Sequence, residues 1–439
     1  MGSNASVKDI LGELEKGSYI SLLSDLISES QYVQNNPPDL VPQEDLVGAH
    51  VRGVLDPYST ENGGTLIIKQ VNYTPGRGHL IIRYPGADSA KVVSFVGSHM
   101  DVVPADPSAW TFDPFSLSIS GDQLRGRGTT DCLGHVALLT ELLKKLAQTK
   151  LKLKNSVVVI FIVSEENSSI PGIGVEQLWK DGYFDDLKGG PLYWVDTADS
   201  QPCIGTGGTI PWFIKTTGHL FHSGLPNKAI NALELAMDAL KPIQLNFYKD
   251  FPPHPKEQEY KFETPSTMKP TQWSYPGGGL NQIPGECSLA GDVRLTPFYD
   301  VKDVVAKISG YVNYINEHVE DLESRGPVSK YTLPDEGLRG KLEVSYGELI
   351  SGIACDFGSR GYEVLYNATK EVIGEVNPYS ITGSLPLVKD LQENGYDVQT
   401  IGYGLTATYH ANDEYCNYSD MANGYKVFAS IISQLEEDY

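Results

Sequence analysis

Residues Lys91–Val103 read KVVSFVGSHMDVV, an apolar run followed by a histidine and an aspartate. The run Lys91–Val96 predicts a buried strand, and the polar residues come where that strand ends. His99 and Asp101 are two positions apart and project to one side, so Asp101 can accept one imidazole N–H while the other ring nitrogen binds a metal. A plain hydrogen-bonded pair is the alternative, and this motif alone leaves both open.

Two further apolar runs end in acidic residues. Val157–Val163 is apolar on both faces, as a central parallel strand requires, and Glu165 and Glu166 follow it. Pro191–Val195 leads directly to Asp196. Adjacent carboxylates at the end of a strand repel each other unless a cation lies near, and the carboxyl ends of parallel strands meet at one edge of an α/β sheet. We therefore expect the chemistry of this chain at that edge.

Asp131 and His410 complete the candidate set. Asp131 precedes a helix predicted over 134–146, so a helix N-cap is the alternative to a functional role. His410 lies beyond a predicted returning strand, Val398–Tyr403. Nitrogen and carboxylate donors without sulfur suit zinc, cobalt or manganese at a catalytic site, and a bridging carboxylate can hold two ions.

The bulk composition limits the partners. A chain of 439 residues exceeds the usual size of one hydrophobic core, so two domains are expected. The net charge of -22 argues against nucleic acid or an anionic membrane as a partner and is compatible with a cationic substrate. The five cysteines are scattered and no targeting segment is visible, so a reducing, cytoplasmic location is expected.

The central third of the chain has a different character from its flanks. Strands predicted over Pro211–Thr217 and Glu286–Leu295 alternate with helices over 229–240 and 300–322, which indicates a separate α+β unit. The long connection Phe251–Gly279 is either a functional loop or a surface insertion. The expected boundaries are 1–206 and 356–439 for the metal-binding domain and 207–355 for the inserted one.

An ordered series of motifs runs over nearly the whole chain. It resembles the dinuclear metal amidohydrolase and exopeptidase family, which includes acylamino-acid deacetylases, desuccinylases, aminoacylases and glutamate carboxypeptidases. The matching motifs are SHMDVV, RGRGTTD, SEEN, the acid of WVDTAD, GHLFHSGLPNKAINA, LNQIPGE with GDVRLTP, GSLP and YHANDEY. The resemblance implies an α/β catalytic domain with a mixed, largely parallel sheet flanked by helices, and an inserted α+β, ferredoxin-like lid and dimerisation domain.

The resemblance also implies two divalent metal ions, zinc first and cobalt second. Their ligands would be His99 and Asp196 for one ion, Glu166 and His410 for the other, and Asp131 as the bridge. Asp101 would orient His99, and Glu165 would be the general base of an amide hydrolysis.

In this family the lid contributes to a dimeric site. The resemblance implies that His222, with Ser223, reaches across a homodimer to stabilise the oxyanion; a surface histidine is the alternative. Asn281 and Arg294 match positions that bind the α-carboxylate of the substrate, and Gly383 and Ser384 match a further substrate-binding motif.

Within the family the overall resemblance is greatest to the plant-like eukaryotic deacetylases, which implies release of acetate and ornithine from N2-acetylornithine, a small-molecule N-acyl amino acid. An aminoacylase, dipeptidase or desuccinylase is the alternative. Two positions depart from the deacetylase pattern: Asp196 is Glu in many deacetylases, whereas Asp is frequent in dipeptidases, and Cys132-Leu133 replaces the usual residues after Asp131. A non-catalytic scaffold would have lost ligands or base, and all of them are present.

Overall fold

The computed structural model describes residues 5–167, 170–323, 325–328 and 331–437. The chain divides into two compact units. The first comprises Met1–Ile204, Cys355–Tyr379 and Pro386–Tyr439, and the second comprises Gly205–Ala354 and Ser380–Leu385.

The second unit nearly coincides with the insertion expected over 207–355. The main difference is the segment Ser380–Leu385, which the sequence-based boundaries assign to the metal-binding domain. This segment belongs to the second unit because the Ile381 N–H donates to Gly205 O at 3.0 Å and the Gly207 N–H donates to Gly383 O at 2.8 Å. Backbone bonds of this kind have no residue-type signature, so sequence patterns do not reveal them.

The secondary-structure elements fall into three groups along the chain. Those before the insertion are α1 (Val7–Leu11), α2 (Lys16–Glu29), α3 (Asp45–Leu55), β1 (Ile67–Thr74), β2 (Arg77–Tyr84), β3 (Asp88–His99), β4 (Ser118–Ser120), β5 (Gln123–Arg125), α4 (Leu133–Thr149), β6 (Asn155–Ile162), α5 (Val175–Lys180), β7 (Leu192–Thr197) and β8 (Cys203–Gly205). Those of the insertion are β9 (Gly208–Thr217), β10 (Phe221–His222), α6 (Ala232–Asp250), α7 (Pro255–Glu259), β11 (Thr267–Ser274), β12 (Gln282–Ile283), β13 (Glu286–Leu295), α8 (Val301–Glu317), β14 (Thr332–Leu333), β15 (Leu338–Arg339) and β16 (Lys341–Tyr346). The last are α9 (Arg360–Ile373), β17 (Tyr379–Ser380), α10 (Val388–Glu393), β18 (Val398–Gly402), β19 (Tyr415–Asn417) and α11 (Tyr418–Glu437).

The first unit is built on a mixed eight-stranded sheet in the order β1-β2-β6-β3-β7-β18-β8-β17. Its four central strands, β6, β3, β7 and β18, are parallel to their neighbours within that group, whereas β2 and β8 join them antiparallel. All eight residues of β6 are buried, as expected for a central parallel strand with helices on both faces. The expected α/β architecture is therefore confirmed.

Helices α4 and α11 pack against this sheet and enclose its main core. On α11, Phe428 contacts Phe95 of β3 with ring centroids 4.8 Å apart. Gly97 of β3 allows the neighbouring strand to come close: its φ is +99°, and a Cβ there would lie 2.5 Å from the Trp194 indole of β7. The strands that end at His99 and near Asp196 can therefore lie side by side.

The second unit contains an antiparallel four-stranded sheet in the order β11-β13-β9-β16. Helices α6 and α8 follow its first and third strands and pack with it around a second core. Along the chain these elements follow one another as β9, α6, β11, β13, α8 and β16, which is a βαββαβ order. In the sheet β9 and β13 are the central pair, and β16 and β11 are the edge strands. This is the ferredoxin-like arrangement that the family resemblance implies.

The connection Phe251–Gly279, expected to be a functional loop or a surface insertion, is in part regular structure. It contains α7 and the edge strand β11, which pairs with β13 from Thr267 to Ser274. The sequence did not reveal this strand because six of its eight residues are exposed and lack the alternation of a half-buried strand.

Two global properties complete the description. Within the described ranges, every helix is too short or too polar to span a membrane. All five cysteines fall within these ranges, and each is buried and outside any disulfide.

Candidate metal centre

Three parallel strands deliver the candidate residues to one edge of the first sheet. His99 is the last residue of β3, Asp196 lies one residue before the end of β7, and Glu165 and Glu166 follow β6 within four residues. His410 lies in the connection after β18, and Asp131 lies just before α4. The structure therefore brings all six predicted residues to the carboxyl ends of the strands, where open α/β sheets collect their ligands.

Asp131 lies between the two histidines. Its Oδ1 is 2.9 Å from His99 Nε2, and its Oδ2 is 3.1 Å from His410 Nε2. Asp131 is not the helix cap, because α4 has Cys132 at its N-cap position and no side-chain cap bond. The peptide bond between Asp131 and Cys132 is cis. A carboxylate with one oxygen toward each of two imidazoles has the arrangement of a bridging ligand.

The remaining acids divide between the two histidines. Glu166 Oε2 lies 3.0 Å from His410 Nε2, whereas Asp196 Oδ1 lies 3.5 Å from His99 Nε2. Glu165 Oε2 is farther away, at 3.8 Å from His99 Nε2. Potential ligand atoms of Asp131, Glu166 and His410 all lie within 4.8 Å of one another, and those of His99, Asp131 and Asp196 form a second such group. These residues could hold metal ions.

The pKa values of the acids reflect the crowding of negative charge. Burial, followed by the carboxylate of Asp196, raises the pKa of Glu165 well above its usual value. Burial and the carboxylate of Asp131 raise the pKa of Glu166 to about 7, and burial raises the pKa of Asp196 to about 6. Burial alone would raise the pKa of Asp131 as well, but hydrogen bonds from His410 and His99 outweigh it and lower the pKa.

The histidines respond in the opposite direction. Hydrogen bonds to Asp131 and Glu166 raise the pKa of His410 to about 11. Burial acts to lower the pKa of His99, but Asp196 and the other acids outweigh it and raise the pKa well above its usual value. Positive charge is therefore strongly favoured at both positions between these carboxylates.

The site fits divalent cations on two observations. Glu166 Oε1 is a buried carboxylate oxygen with no hydrogen-bond partner, an arrangement that is costly unless a cation contacts it. Four carboxylates also converge on two imidazoles, and two divalent ions would balance their charge while leaving both imidazoles neutral, as metal ligation requires.

Asp101 has more contacts than the expected one with His99. His99 Nδ1 lies 2.8 Å from the backbone carbonyl oxygen of Asp101 and 3.5 Å from its carboxylate, so the backbone makes the closer contact. The carboxylate accepts the N–H groups of Glu165 and Glu166 at 3.2 and 3.0 Å, and Asn35 Nδ2 donates to it at 2.7 Å. Asp101 therefore anchors the two glutamates as well as the histidine, which the sequence reasoning missed.

A buried ion pair also supports the glutamate turn. Arg77 donates from Nη2 to Glu44 Oε1 at 2.7 Å, and the Ser164 N–H donates to the same oxygen at 3.2 Å. Ser164 has a left-handed φ of 60°, which these contacts stabilise directly before Glu165. Neither Glu44 nor Arg77 stands out in the sequence, because the patterns around them predict only a helix and a strand.

Cys132 lies beside the cluster. Its Sγ is within 4.8 Å of ligand atoms of His99, Asp131 and Asp196. Burial raises the pKa of this thiol well above its usual value, which disfavours the thiolate form. The thiol also contacts the imidazole of His135, whose Nδ1 lies 3.3 Å from the sulfur. His135 Nε2 accepts the Tyr403 N–H at 2.8 Å, so in the neutral ring the proton is on Nδ1 and can be donated to the sulfur.

The expected lid residues all lie in the second unit. His222 ends β10, and the next residue, Ser223, donates its N–H to Asn281 O at 2.9 Å, so His222 and Asn281 are neighbours. Arg294 lies on β13 and donates from Nε to Asp292 Oδ2 at 2.7 Å. Gly383 and Ser384 lie in the short segment that returns to this unit.

A cluster of imidazoles and carboxylates at the carboxyl edge of a mixed α/β sheet is typical of metal-dependent hydrolases. The sequence pattern of Peptidase family M20/M25/M40 matches residues 95–434, and the chain belongs to this family.

Three similar proteins extend this finding. The chain is 64% identical to acetylornithine deacetylase of Arabidopsis thaliana over 436 residues, which cover 99% of both chains. It is 50% identical to acetylornithine deacetylase of Dictyostelium discoideum, over 97% of this chain and 98% of that one. Among solved structures, the dipeptidase Dug1p of Saccharomyces cerevisiae has a TM-score of 0.71 at 16% identity and covers 98% of both chains, so it shares the fold.

Proposed function

We propose that this chain is a metal-dependent deacetylase that hydrolyses N2-acetyl-L-ornithine to acetate and L-ornithine, a step in making ornithine and arginine. The observation that carries this proposal is its similarity, over the full chain, to the Arabidopsis deacetylase, at 64% identity. The intact cluster of imidazoles and carboxylates supports a hydrolase rather than a scaffold that has kept the fold.

The cofactor of this proposal is a pair of divalent ions, zinc before cobalt. His99 and Asp196 would hold one ion, Glu166 and His410 the other, and Asp131 would bridge them. When bound, such ions polarise a carbonyl group and lower the pKa of a water molecule. The positions of the two histidines on opposite oxygens of Asp131 support this division of the ligands.

Glu165 is the proposed general base. It has the longest distance to an imidazole in the cluster, 3.8 Å to His99 Nε2, which leaves its carboxylate available for proton transfer. It takes a proton from the attacking water as the new C–O bond forms, and it returns that proton to the amide nitrogen as the C–N bond breaks. The raised pKa of Glu165 suits a group that must gain and lose a proton in one cycle.

The second unit would supply the remaining contacts with the substrate. We assign Asn281 and Arg294 to the α-carboxylate of the substrate, with Gly383 and Ser384 beside it. Arg294 donates from Nε to Asp292, and its remaining N–H groups would bind the carboxylate of the substrate. These four assignments rest on the family resemblance of the motifs.

The proposed assembly is a homodimer in which His222 of one subunit completes the site of the other. His222 is exposed, and its Nδ1 accepts the Gly224 N–H at 3.0 Å. The neutral ring therefore carries its proton on Nε2, where it can donate to an oxyanion that develops on the substrate. Removal of one such donor typically costs about 100- to 1,000-fold in turnover.

A mixing experiment tests this role of His222. His222→Ala and Glu165→Gln should each be nearly inactive, and after subunit exchange the mixture should recover about a quarter of the parental activity, since each heterodimer has one complete site. Exchange is verified by native mass spectrometry. Activity that stays at the level of the separate variants after verified exchange would show that His222 does not act across the dimer.

A substrate panel tests the proposed reaction. We expect N2-acetyl-L-ornithine to have a kcat/KM at least about tenfold above those of N-acetylmethionine, N-succinyl-diaminopimelate and alanyl-glycine, since differential binding at the transition state sets such ratios. Release of free ornithine and acetate is measured with zinc or cobalt added. Efficient cleavage of the dipeptide with no hydrolysis of N-acetyl amino acids would contradict the proposal. It would instead favour a dipeptidase, the class in which an aspartate at the position of Asp196 is frequent.

We place this enzyme in the cytoplasm. Five buried cysteines without a disulfide among the described residues support a reducing compartment. The net charge of -22 disfavours nucleic acid and anionic membranes as partners.

A further inference from the structure

Glu414 lies four residues beyond His410 and directly before β19. Strand β19 pairs antiparallel with β5, with Tyr415 opposite Arg125. This pairing brings Glu414 beside the segment Gly126–Asp131, and the Gly126 N–H donates to the backbone oxygen of Glu414 at 3.0 Å. The segments that carry Asp131 and His410 therefore meet at Glu414.

The Glu414 carboxylate is fully buried, and each of its oxygens accepts two hydrogen bonds. Oε1 accepts the backbone N–H groups of Thr130 and Asp131 at 2.9 and 3.0 Å. Oε2 accepts the Gly128 N–H at 3.0 Å and Arg127 Nη1 at 2.8 Å. Three of the four donors thus belong to the backbone of the loop that ends in Asp131.

The Arg127 guanidinium supplies the charge that balances this carboxylate. It is 2% exposed and lies over the Trp110 ring, 4.9 Å from the ring centroid. A buried ion pair is weak evidence of stabilisation, because desolvation of both charges offsets much of their attraction. The role of Glu414 is therefore better inferred from the three backbone N–H groups that it binds than from its ion pair with Arg127.

The orientation of Asp131 depends on its backbone. Its two carboxylate oxygens face different histidines at 2.9 and 3.1 Å, so a rotation of the residue would lose at least one of these contacts. A second link restrains the same two segments, because Tyr415 O accepts the hydroxyls of Thr130 and Thr408 at 2.9 and 3.0 Å. Hydrogen bonds to Glu414 and to Tyr415 O thus connect the loop that carries Asp131 to the loop that carries His410.

We propose that Glu414 is a positioning residue for both metal subsites: through the N–H groups of Gly128, Thr130 and Asp131 it holds Asp131 with one oxygen toward each histidine. This inference rests on the proposed function, since it presupposes that Asp131 bridges two ions. Groups that orient metal ligands typically contribute about 10- to 100-fold to metal affinity.

The test is Glu414→Gln, which keeps the size of the side chain but leaves an NH2 group facing two of the four donors. Zinc affinity is measured on the metal-free full chain by competition with a chromogenic chelator. We expect both zinc ions to bind about 10- to 100-fold more weakly than in the parent. An unchanged affinity for both ions in a folded Glu414→Gln protein would overturn the inference.

Glu141→Gln is the matched control. Glu141 is also a buried glutamate of the first unit, but its partners are Ser18 of α2 and Lys144 of α4. We expect its zinc affinity to equal that of the parent. An equal loss of affinity in Glu141→Gln would show a general effect of destabilisation and would overturn the positioning role.

A double variant separates the hydrogen bonds from the ion pair and serves if Glu414→Gln fails to fold. In Arg127→Gln/Glu414→Gln no buried charge is left unpaired, so the melting temperature should recover toward that of the parent while the zinc affinity stays low. Recovery of zinc affinity in the double variant would overturn the role of the backbone contacts. A parent that binds no zinc would instead contradict the proposed function, so the two failures are distinguishable.

Discussion

Replacement of Glu165 by glutamine is expected to lower kcat for N2-acetylornithine by about 100- to 10,000-fold while the protein keeps its metal ions. Glutamine has the same size, but it cannot take a proton from water or return one to the leaving amine. Because Glu165 Oε2 is 3.8 Å from His99 Nε2 and is not an assigned ligand, metal binding should survive. Turnover is measured by ornithine release, and metal content by elemental analysis.

Glu166→Gln is the natural control, because the same change is made one residue along the chain. Glu166 Oε2 lies 3.0 Å from His410 Nε2, and its other oxygen is a buried atom without a partner. We expect this variant to lose one ion first and to regain part of its activity when zinc is added in excess. Parental turnover in Glu165→Gln, or an equal loss of metal in both variants, would contradict the division of roles between the two glutamates.

Asp131→Ala is expected to reduce zinc content from about two ions per chain to less than one and to abolish measurable turnover, because one carboxylate serves both ions. Its two oxygens each lie near a different histidine, so its removal takes a ligand from both positions. Elemental analysis after exhaustive dialysis measures the metal content, and ornithine release measures the activity.

Two companion variants sharpen this experiment. Asp131→Asn keeps one carbonyl oxygen and should retain at most about one ion, since the amide nitrogen cannot bind a cation. Asp420→Ala removes a half-buried aspartate of the same unit whose Oδ2 accepts Asn417 Nδ2 at 3.0 Å, and it should keep both ions. Two ions retained per chain in Asp131→Ala would refute the bridge.

The strands that carry the site were predictable because their composition is unambiguous. The run Val157–Val163 predicts β6, which spans Asn155–Ile162, and the predicted strand Glu286–Leu295 has the bounds of β13. Long apolar, β-branched runs form buried strands in almost any context, so the pattern suffices. The edge strand β11 was missed because its side chains are mostly exposed and its pairing depends on β13.

The site residues were predictable as a set but not in their contacts. Histidine and acids at the ends of three apolar strands indicate a cation site at one sheet edge, and the structure brings them together there. Asp101 does contact His99, but its backbone oxygen lies closer to the imidazole than its carboxylate does, and the carboxylate also binds the N–H groups of Glu165 and Glu166. Sequence spacing places side chains on faces, but it does not assign their hydrogen bonds.

The sequence by itself determined which chemical groups this protein brings to the ends of its strands, and with them its family and its expected chemistry. Only the tertiary structure decided how those groups are held, because Glu414 and Asp131 are 283 residues apart and meet through the pairing of β19 with β5. The groups that Glu414 and Asp101 bind are chiefly backbone N–H groups. Every residue except proline carries the same N–H donor, so no residue type records such a contact, and only the folded chain reveals it.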